Sequence, residues 1–464
     1  MNRLPGRWSR VLFALTVALK SILPTGGAPS NHVLLITIDG AGAFYLSDSN
    51  APLSTLRRLV REGAVAEGME VASPAVTWPN HTTLVTGVGP DRHSVLFNGV
   101  LTRPGPGRPL TIDPARPKAD LVAVPTLYDR LHEAGLRVAD INWPCTRGAT
   151  SLEDSFPDVP EPLRFMTPRL REELLAARIL ESADDAAFKG RSAAVRDQVW
   201  TAAATHVVRE RRPNLLLFHM LICDSIQHRY GPQSPAAYTA LAVADAQLAD
   251  VLRAVDAAGI RDRTTVFVTA DHGFDSAQKL IQPNVRFRKA GLLEVGSAPG
   301  FLKARAQSIS EGGTAFVYLP DPATRSADRT QVLELLKDQE GIAEILTEEQ
   351  FPALHLPVPG QGSQMADLVL VAKPGYAFGN EARGEDSITD IAQTGANLGY
   401  HGFLSRNPRM NALFVAWGRG IRPGPKPGWI HNTDIAPTIA HLLGVKLPGA
   451  EGHVLTAFLS DAGR

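Results

Sequence analysis

"HVLLITIDG", from His32 to Gly40, decides how the rest of the chain is read. Its compact apolar, partly β-branched run predicts a buried strand that ends at Asp39-Gly40. A strand of this kind presents its last carboxylate at its C-terminal end. The pattern returns in "NLLLFHMLICD" (Asn214 to Asp224) and "TTVFVTADHG" (Thr264 to Gly273), both apolar runs leading into aspartate. "NALFVAWGRG" (Asn411 to Gly420) is a similar run without the acid. Helical patterns such as "STLRRLVREG" and "YTALAVADAQLADVLRAVDAAG" lie between them. Strands alternating with helices predict an α/β fold with a mostly parallel sheet flanked by helices. In open sheets of this class the site lies outside the carboxyl ends of the strands, so the three aspartates should converge.

Possible metal ligands gather at those ends. Asp39 closes the first run, Asp224 and His228 form "DSIQH", Asp271 and His272 form "ADHG", and His401 sits in "GYHGF". Mixed aspartate and histidine donors suit zinc or a similar divalent ion. Six ligands and one nucleophile suffice for two ions, which can clamp the attacking and leaving oxygens of a displacement at phosphorus. Singly, each piece has a plainer reading: Asp-Gly after a strand is commonly a turn, and an Asp-His pair is commonly hydrogen-bonded structure. Their joint placement at strand ends carries the argument.

"AVTWPNHTTLVTG" (Ala75 to Gly87) offers the candidate nucleophile. Pro79 suits a first helical turn and Gly87 the residue past the last. Thr77 then stands at a helix N-terminus, where unpaired N–H groups and the helix dipole favour an anion. A hydroxyl beside a divalent cation can become an alkoxide near neutral pH. The plain alternative is a threonine that caps its own helix.

"ITIDG", "TWPNHTTLVTG", "DSIQHRYGP", "TADHGF" and "GYHGF" follow one another in an order that resembles the alkaline phosphatase superfamily, and within it the nucleotide pyrophosphatase/phosphodiesterase family. The resemblance covers nearly all of the chain after its first residues and includes "NTDIAPTIAHLLGV" (Asn432 to Val445), similar to that family's closing helix. It implies an alkaline-phosphatase-like core, two divalent ions expected to be Zn2+, and a threonine nucleophile, Thr77. One ion would take Asp224, His228 and His401; the other Asp39, Asp271, His272 and the Thr77 oxygen. The family's phosphoryl-binding asparagine maps to Asn98 in "HSVLFNG", where Ser94 replaces the family's glycine. Trp78 keeps an aromatic beside the nucleophile, where it could stack on a flat group of the substrate or simply pack. Ile222 and Cys223 replace the acidic residue and proline that often precede the Asp-x-x-x-His motif, which leaves nucleotide preference open. Cys145 in "WPCTRGA" lacks the following proline of a sulfatase motif. Asn80 is expected to hydrogen-bond locally, and His81, His93 and His219 to be structural.

The 464 residues are 44% hydrophobic and carry 47 basic and 47 acidic side chains, enough for one large domain and no reason to expect nonspecific nucleic-acid binding. Arg3, Arg7 and Arg10 precede an apolar run from Val11 to Leu19 and small residues around Ala28, the pattern of a signal peptide over residues 1–28. Export to the periplasm or medium is therefore expected, with no stable membrane insertion after processing. Residues 29–464 would be the catalytic domain, with a cap or insertion at roughly 276–386, and Leu101 to Pro117 reads as a loop. Cys145 and Cys223 allow one disulfide in an exported protein, and two separate buried thiols are the favoured reading. The function these readings favour is an exported two-metal hydrolase of phosphodiester or pyrophosphate bonds acting on a small phosphodiester or nucleotide. The alternatives are a phosphomonoesterase, a phosphonate or phospholipid-headgroup hydrolase, or a binding protein on the same scaffold. The oligomeric state is not encoded in any of these signals.

Overall fold

A computed structural model describes residues 31–296, 300–360, 363–424 and 428–463; the leader expected over residues 1–28 lies outside them. Seven strands form the central sheet: β1 (His32–Ile38), β2 (Ala64–Val65), β3 (Val138–Pro144), β4 (Asp154–Asp158), β5 (Leu215–Met220), β6 (Thr264–Thr269) and β7 (Phe414–Gly418). Their order is β2-β7-β6-β1-β5-β3-β4. From β6 to β4 every pair is parallel, while β7 runs antiparallel to β6 and β2 antiparallel to β7. β1, β5 and β6 are buried along their whole length, in keeping with their largely apolar, β-branched runs. Register sets Thr37 opposite His219 on one side and Thr269 on the other, so Asp39 and Asp271 leave the sheet at the same level.

Four helices and one late helix matter to the site: α1 (Thr77–Thr86), α2 (Ala193–Arg211), α3 (Ile222–Tyr230), α4 (Pro235–Ala257) and α5 (Ile435–Leu442). Gly87 ends α1 with φ +71° and donates its N–H to the Thr83 carbonyl, the left-handed stop expected of it. Asn80 donates to the Pro74 and Val76 carbonyls and accepts from Ala72 N–H and from Asn432 Nδ2 at 2.8 Å. It thereby ties α1 to the turn that opens α5. Among the described residues no helix is long and apolar enough to cross a membrane.

Between β6 and β7 the described residues hold a two-stranded ladder, Leu293–Val295 with Phe301–Ala304, and two larger sheets. One is antiparallel, in the order Gln307–Ser310, Thr314–Tyr318, Leu368–Ala372, Ile342–Leu346. The other joins Gly375–Phe378, Asp275–Ile281 and Ile388–Asp390. The stretch Leu101–Pro117, expected as a loop, instead carries a ladder between Val100–Thr102 and Thr111–Asp113. Leu101 and Leu110 there join a cluster with Phe316 and Tyr318, and this burial overrides the Pro, Gly and Arg of the intervening turn. Cys145 and Cys223 are free and buried.

Candidate active site

The strand ends bring the expected side chains together. His272 Nε2 lies 3.4 Å from Asp39 Oδ1 and 3.3 Å from Asp271 Oδ2. On α3, His228 Nε2 is 3.2 Å from Asp224 Oδ1, the i, i+4 spacing that sets both on one helix face. His401 arrives from the loop after Gly399–Tyr400; its Nε2 is 3.7 Å from the same Asp224 oxygen, and its ring stacks on His272 at 3.8 Å. Ligand atoms of Asp224, His228 and His401 fall within 4.8 Å of one another, and so do those of Asp39, Asp224 and His272. Asp224 thus stands between the two groups, and Asp271 reaches the second through His272.

The donor chemistry fits divalent cations. A backbone carbonyl can only accept, so a ring nitrogen beside one must donate. His228 Nδ1 faces the Gly399 carbonyl (3.0 Å), His401 Nδ1 that of Ala75 (2.9 Å) and His272 Nδ1 that of Gly273 (3.1 Å). When neutral, all three rings therefore turn a bare Nε2 toward the carboxylates, the arrangement of a metal-binding imidazole. Asp39 Oδ1, Asp224 Oδ1 and Asp271 Oδ2 are buried without a hydrogen-bond partner. Burial, then the Asp271 and Asp224 charges, push Asp39 well above the usual carboxylate range. For Asp271 burial is outweighed by His272, His81 and His219, which hold it low. Burial and the neighbouring His272 and His228 lower His401 to about 3. A cation among these groups would relieve the repulsion and meet the open lone pairs.

Thr77 is the first residue of α1, and Val76 in extended conformation precedes it without a side-chain cap. The Thr77 hydroxyl caps nothing; it points to His272 Nε2 at 3.4 Å. Asn98 Oδ1 takes the Trp78 N–H at 2.9 Å, capping the helix from outside and leaving its Nδ2 for a ligand. Trp78 is 4% exposed and packs with Val95, Leu121 and Cys145; its indole N–H donates to Asp158 Oδ2 at 3.1 Å. A cavity of about 250 Å³ opens beside it, lined by Trp78, Asn98, Asn142, Asp158, Lys189 and Arg196. The last four were missed in the sequence. Asp158 does end a strand, but "DSFPD" is too polar and proline-broken to read as one. His93 is structural as expected, bonded to Thr83 Oγ1 and to Val95 N–H. His219 is buried as expected, yet its Nε2 reaches Asp39 Oδ2 at 3.2 Å.

A family model described as type I phosphodiesterase / nucleotide pyrophosphatase matches residues 33–404, from the first strand through the His401 loop. The chain belongs to that family. It is a hydrolase of the phosphodiesterase/nucleotide pyrophosphatase type, and the family is one of metal-dependent enzymes. Human ectonucleotide pyrophosphatase/phosphodiesterase family member 7 is 24% identical over 95% of this chain and 88% of its own. A mouse bis(5'-adenosyl)-triphosphatase is 22% identical, over 94% of this chain and 82% of its own. Among solved structures, murine ectonucleotide pyrophosphatase/phosphodiesterase 5 superposes with a TM-score of 0.68 at 18% identity, over 92% of this chain and all of the other. An inactive threonine-to-alanine variant of that murine protein is known in complex with AMP. These neighbours carry the alkaline-phosphatase-like fold expected from the strand-end motifs.

Proposed function

We propose that this phosphodiesterase-family chain is an exported two-metal hydrolase of phosphodiester or pyrophosphate bonds, with Thr77 as nucleophile. The observation that carries the reading is the Thr77 hydroxyl: it stands at a helix N-terminus, caps nothing, and faces the convergent Asp/His set. Asp224, His228 and His401 would hold one divalent ion, and Asp39, Asp271 and His272 with the Thr77 oxygen the other, Zn2+ being the ion this donor set suits. Bound there, the ions supply charge for the attacking and leaving oxygens. The chain does the rest. The N-terminus of α1 and the Asn98 amide orient the phosphoryl oxygens and stabilise the charge that develops on them. Thr77 Oγ1, its proton passing to solvent, forms the new bond to phosphorus as the bond to the leaving oxygen breaks; the oxygen of a water then bonds to phosphorus as the phosphothreonyl bond breaks, and one of that water's protons restores the Thr77 hydroxyl.

The cavity beside Trp78 and Asn98 takes the group attached to the scissile phosphate, with the indole as one wall. A nucleotide-type substrate fits that placement, in keeping with the AMP complex of the murine neighbour. In this reading residues 29–464 form the catalytic domain, 276–386 its cap, and residues 1–28 direct export. Thr77→Ala should lower turnover of bis(p-nitrophenyl) phosphate by more than about 10³-fold with little loss of stability. A near-normal rate in that variant overturns the assignment. Faster turnover of a nitrophenyl monoester or phosphonate than of the diester would move the substrate class.

A further inference from the structure

The geometry points to Thr37, His219 and His81 as positioning residues that join the Asp39 carboxylate to the backbone of the nucleophile. Four contacts form an unbroken chain. Asp39 Oδ2 meets His219 Nε2 at 3.2 Å, and His219 Nδ1 meets Thr37 Oγ1 at 2.9 Å. The same hydroxyl meets His81 Nε2 at 2.9 Å, and His81 Nδ1 donates to the carbonyl of Thr77 at 2.9 Å. Every member is buried, with Thr37 and His81 at 0% exposure and His219 and Asp39 at 1%.

With Asp39 ionised, as an ion ligand must be, the two ends of the chain, a carboxylate and a carbonyl, only accept. Each imidazole therefore spends an N–H outward, and the single Thr37 hydroxyl proton serves the two inward-facing nitrogens at 2.9 Å, with the Phe218 carbonyl a more distant acceptor at 3.5 Å. Thr37 is the pivot. The rings are held by their neighbours as well: His81 stands edge-on to His219 at 4.3 Å and to Trp143 at 4.6 Å. Sheet register explains the meeting, because Thr37 on β1 lies directly opposite His219 on β5. With Asp39 Oδ2 tied to His219, Oδ1 is left for an ion. With the Thr77 carbonyl tied to His81, the first turn of α1 is fixed against the same frame. Outer hydrogen bonds of this kind set the direction of a ligand lone pair and raise affinity.

The inference rests on the two-metal reading above, and its test separates the two. Zn2+ is titrated into metal-depleted natural protein, Thr37→Val and Thr37→Ser, and kcat and KM are measured on the loaded proteins. Thr37→Val keeps the β-branched shape and deletes the hydroxyl; it should weaken one of the two sites by about 10- to 100-fold, leave the other unchanged, and lower kcat more than it raises KM. Thr37→Ser keeps the hydroxyl and should bind both ions as the natural protein does. A packing role predicts the reverse order, since serine loses the methyl group. Should Thr37→Val fail to fold, His219→Phe keeps a ring and deletes both nitrogens, with the same expected loss at one site. Two ions bound by Thr37→Val as tightly as by the natural chain overturn the positioning role and leave the two-metal reading standing. Fewer than two bound by the natural chain overturn both.

Discussion

Asp39, Asp271 and His272 stand at the ends of two neighbouring strands, with side chains 0 to 1% exposed. Asp224, His228 and His401 hang on a nine-residue helix and a loop, and their side chains are 12 to 27% exposed. The strand-end half is backed by buried hydrogen bonds: Gly40 N–H reaches Asp271 Oδ1 at 3.3 Å, and His219 reaches Asp39. The other half is oriented mainly by single carbonyls, those of Gly399 and Ala75, that hold the two rings. One half is fixed by the sheet itself; the other depends on chain that returns from beyond the sheets inserted after β6. A ligand set on strands is held more rigidly than one on a loop, so the two halves should differ in metal affinity.

Breaking the looser half is the larger experiment. On the proposed two-metal reading, His401→Ala should lower activity by at least about 100-fold, because one oxygen of the displacement would lose its clamp. Stability should fall much less, since the core strands stay packed and no small metal-dependent domain is involved. An activity within a few-fold of the natural enzyme would mean that the His401 loop does not belong to the site.

A second test concerns the wall of the cavity beside Trp78 and Asn98, outside both halves. Burial raises Asp158 to about 6, against the partial relief of the Trp78 indole and Arg196. In the unfolded chain the same carboxyl titrates near pH 4. Below about pH 4 both states are protonated; as pH rises through the folded value, the native state must carry a buried charge. The stability tied to the neutral carboxyl is therefore lost between about pH 4 and 6. Asp158→Asn should gain on the natural protein by about 2–3 kcal/mol over that range, measured by denaturant unfolding of metal-depleted protein. A difference that does not change with pH contradicts the burial argument.

The smallest expected effect sharpens what supports α3. Asp197, buried on α2, accepts the N–H groups of Leu221 (2.9 and 3.1 Å) and Ile222 (2.8 Å), and so caps α3 from a distance. Asp197→Ala strands those donors and should cost about 1–2 kcal/mol. It should also weaken metal binding at Asp224 and His228 while sparing the strand-end half. Equal weakening of both halves would show that α3 is not anchored separately.

The strand-end half was legible in the sequence because its signal is local: an apolar β-branched run closing on Asp39 or on Asp271-His272. Thr77 was legible through the proline and glycine that bracket α1. His401 was not readable from spacing; only its place in an ordered set of motifs pointed to it. The supporting residues left weaker traces. His219 alternates within an apolar strand and reads as core, and only the register opposite Thr37 shows what it touches. Asn142 adopts φ +56° at a strand irregularity, a conformation that "DINWP" does not announce. Asp197 lies mid-helix, and the backbone it caps is distant in sequence. Long-range pairing decides these roles.

Stepwise Zn2+ titration of metal-depleted protein, natural and His401→Ala, tests the account most directly. The natural chain should bind two ions in two steps of unequal affinity, and His401→Ala should lose the weaker step and keep close to one ion per chain. Two equal and unchanged steps in His401→Ala, or a single ion in the natural protein, would contradict it.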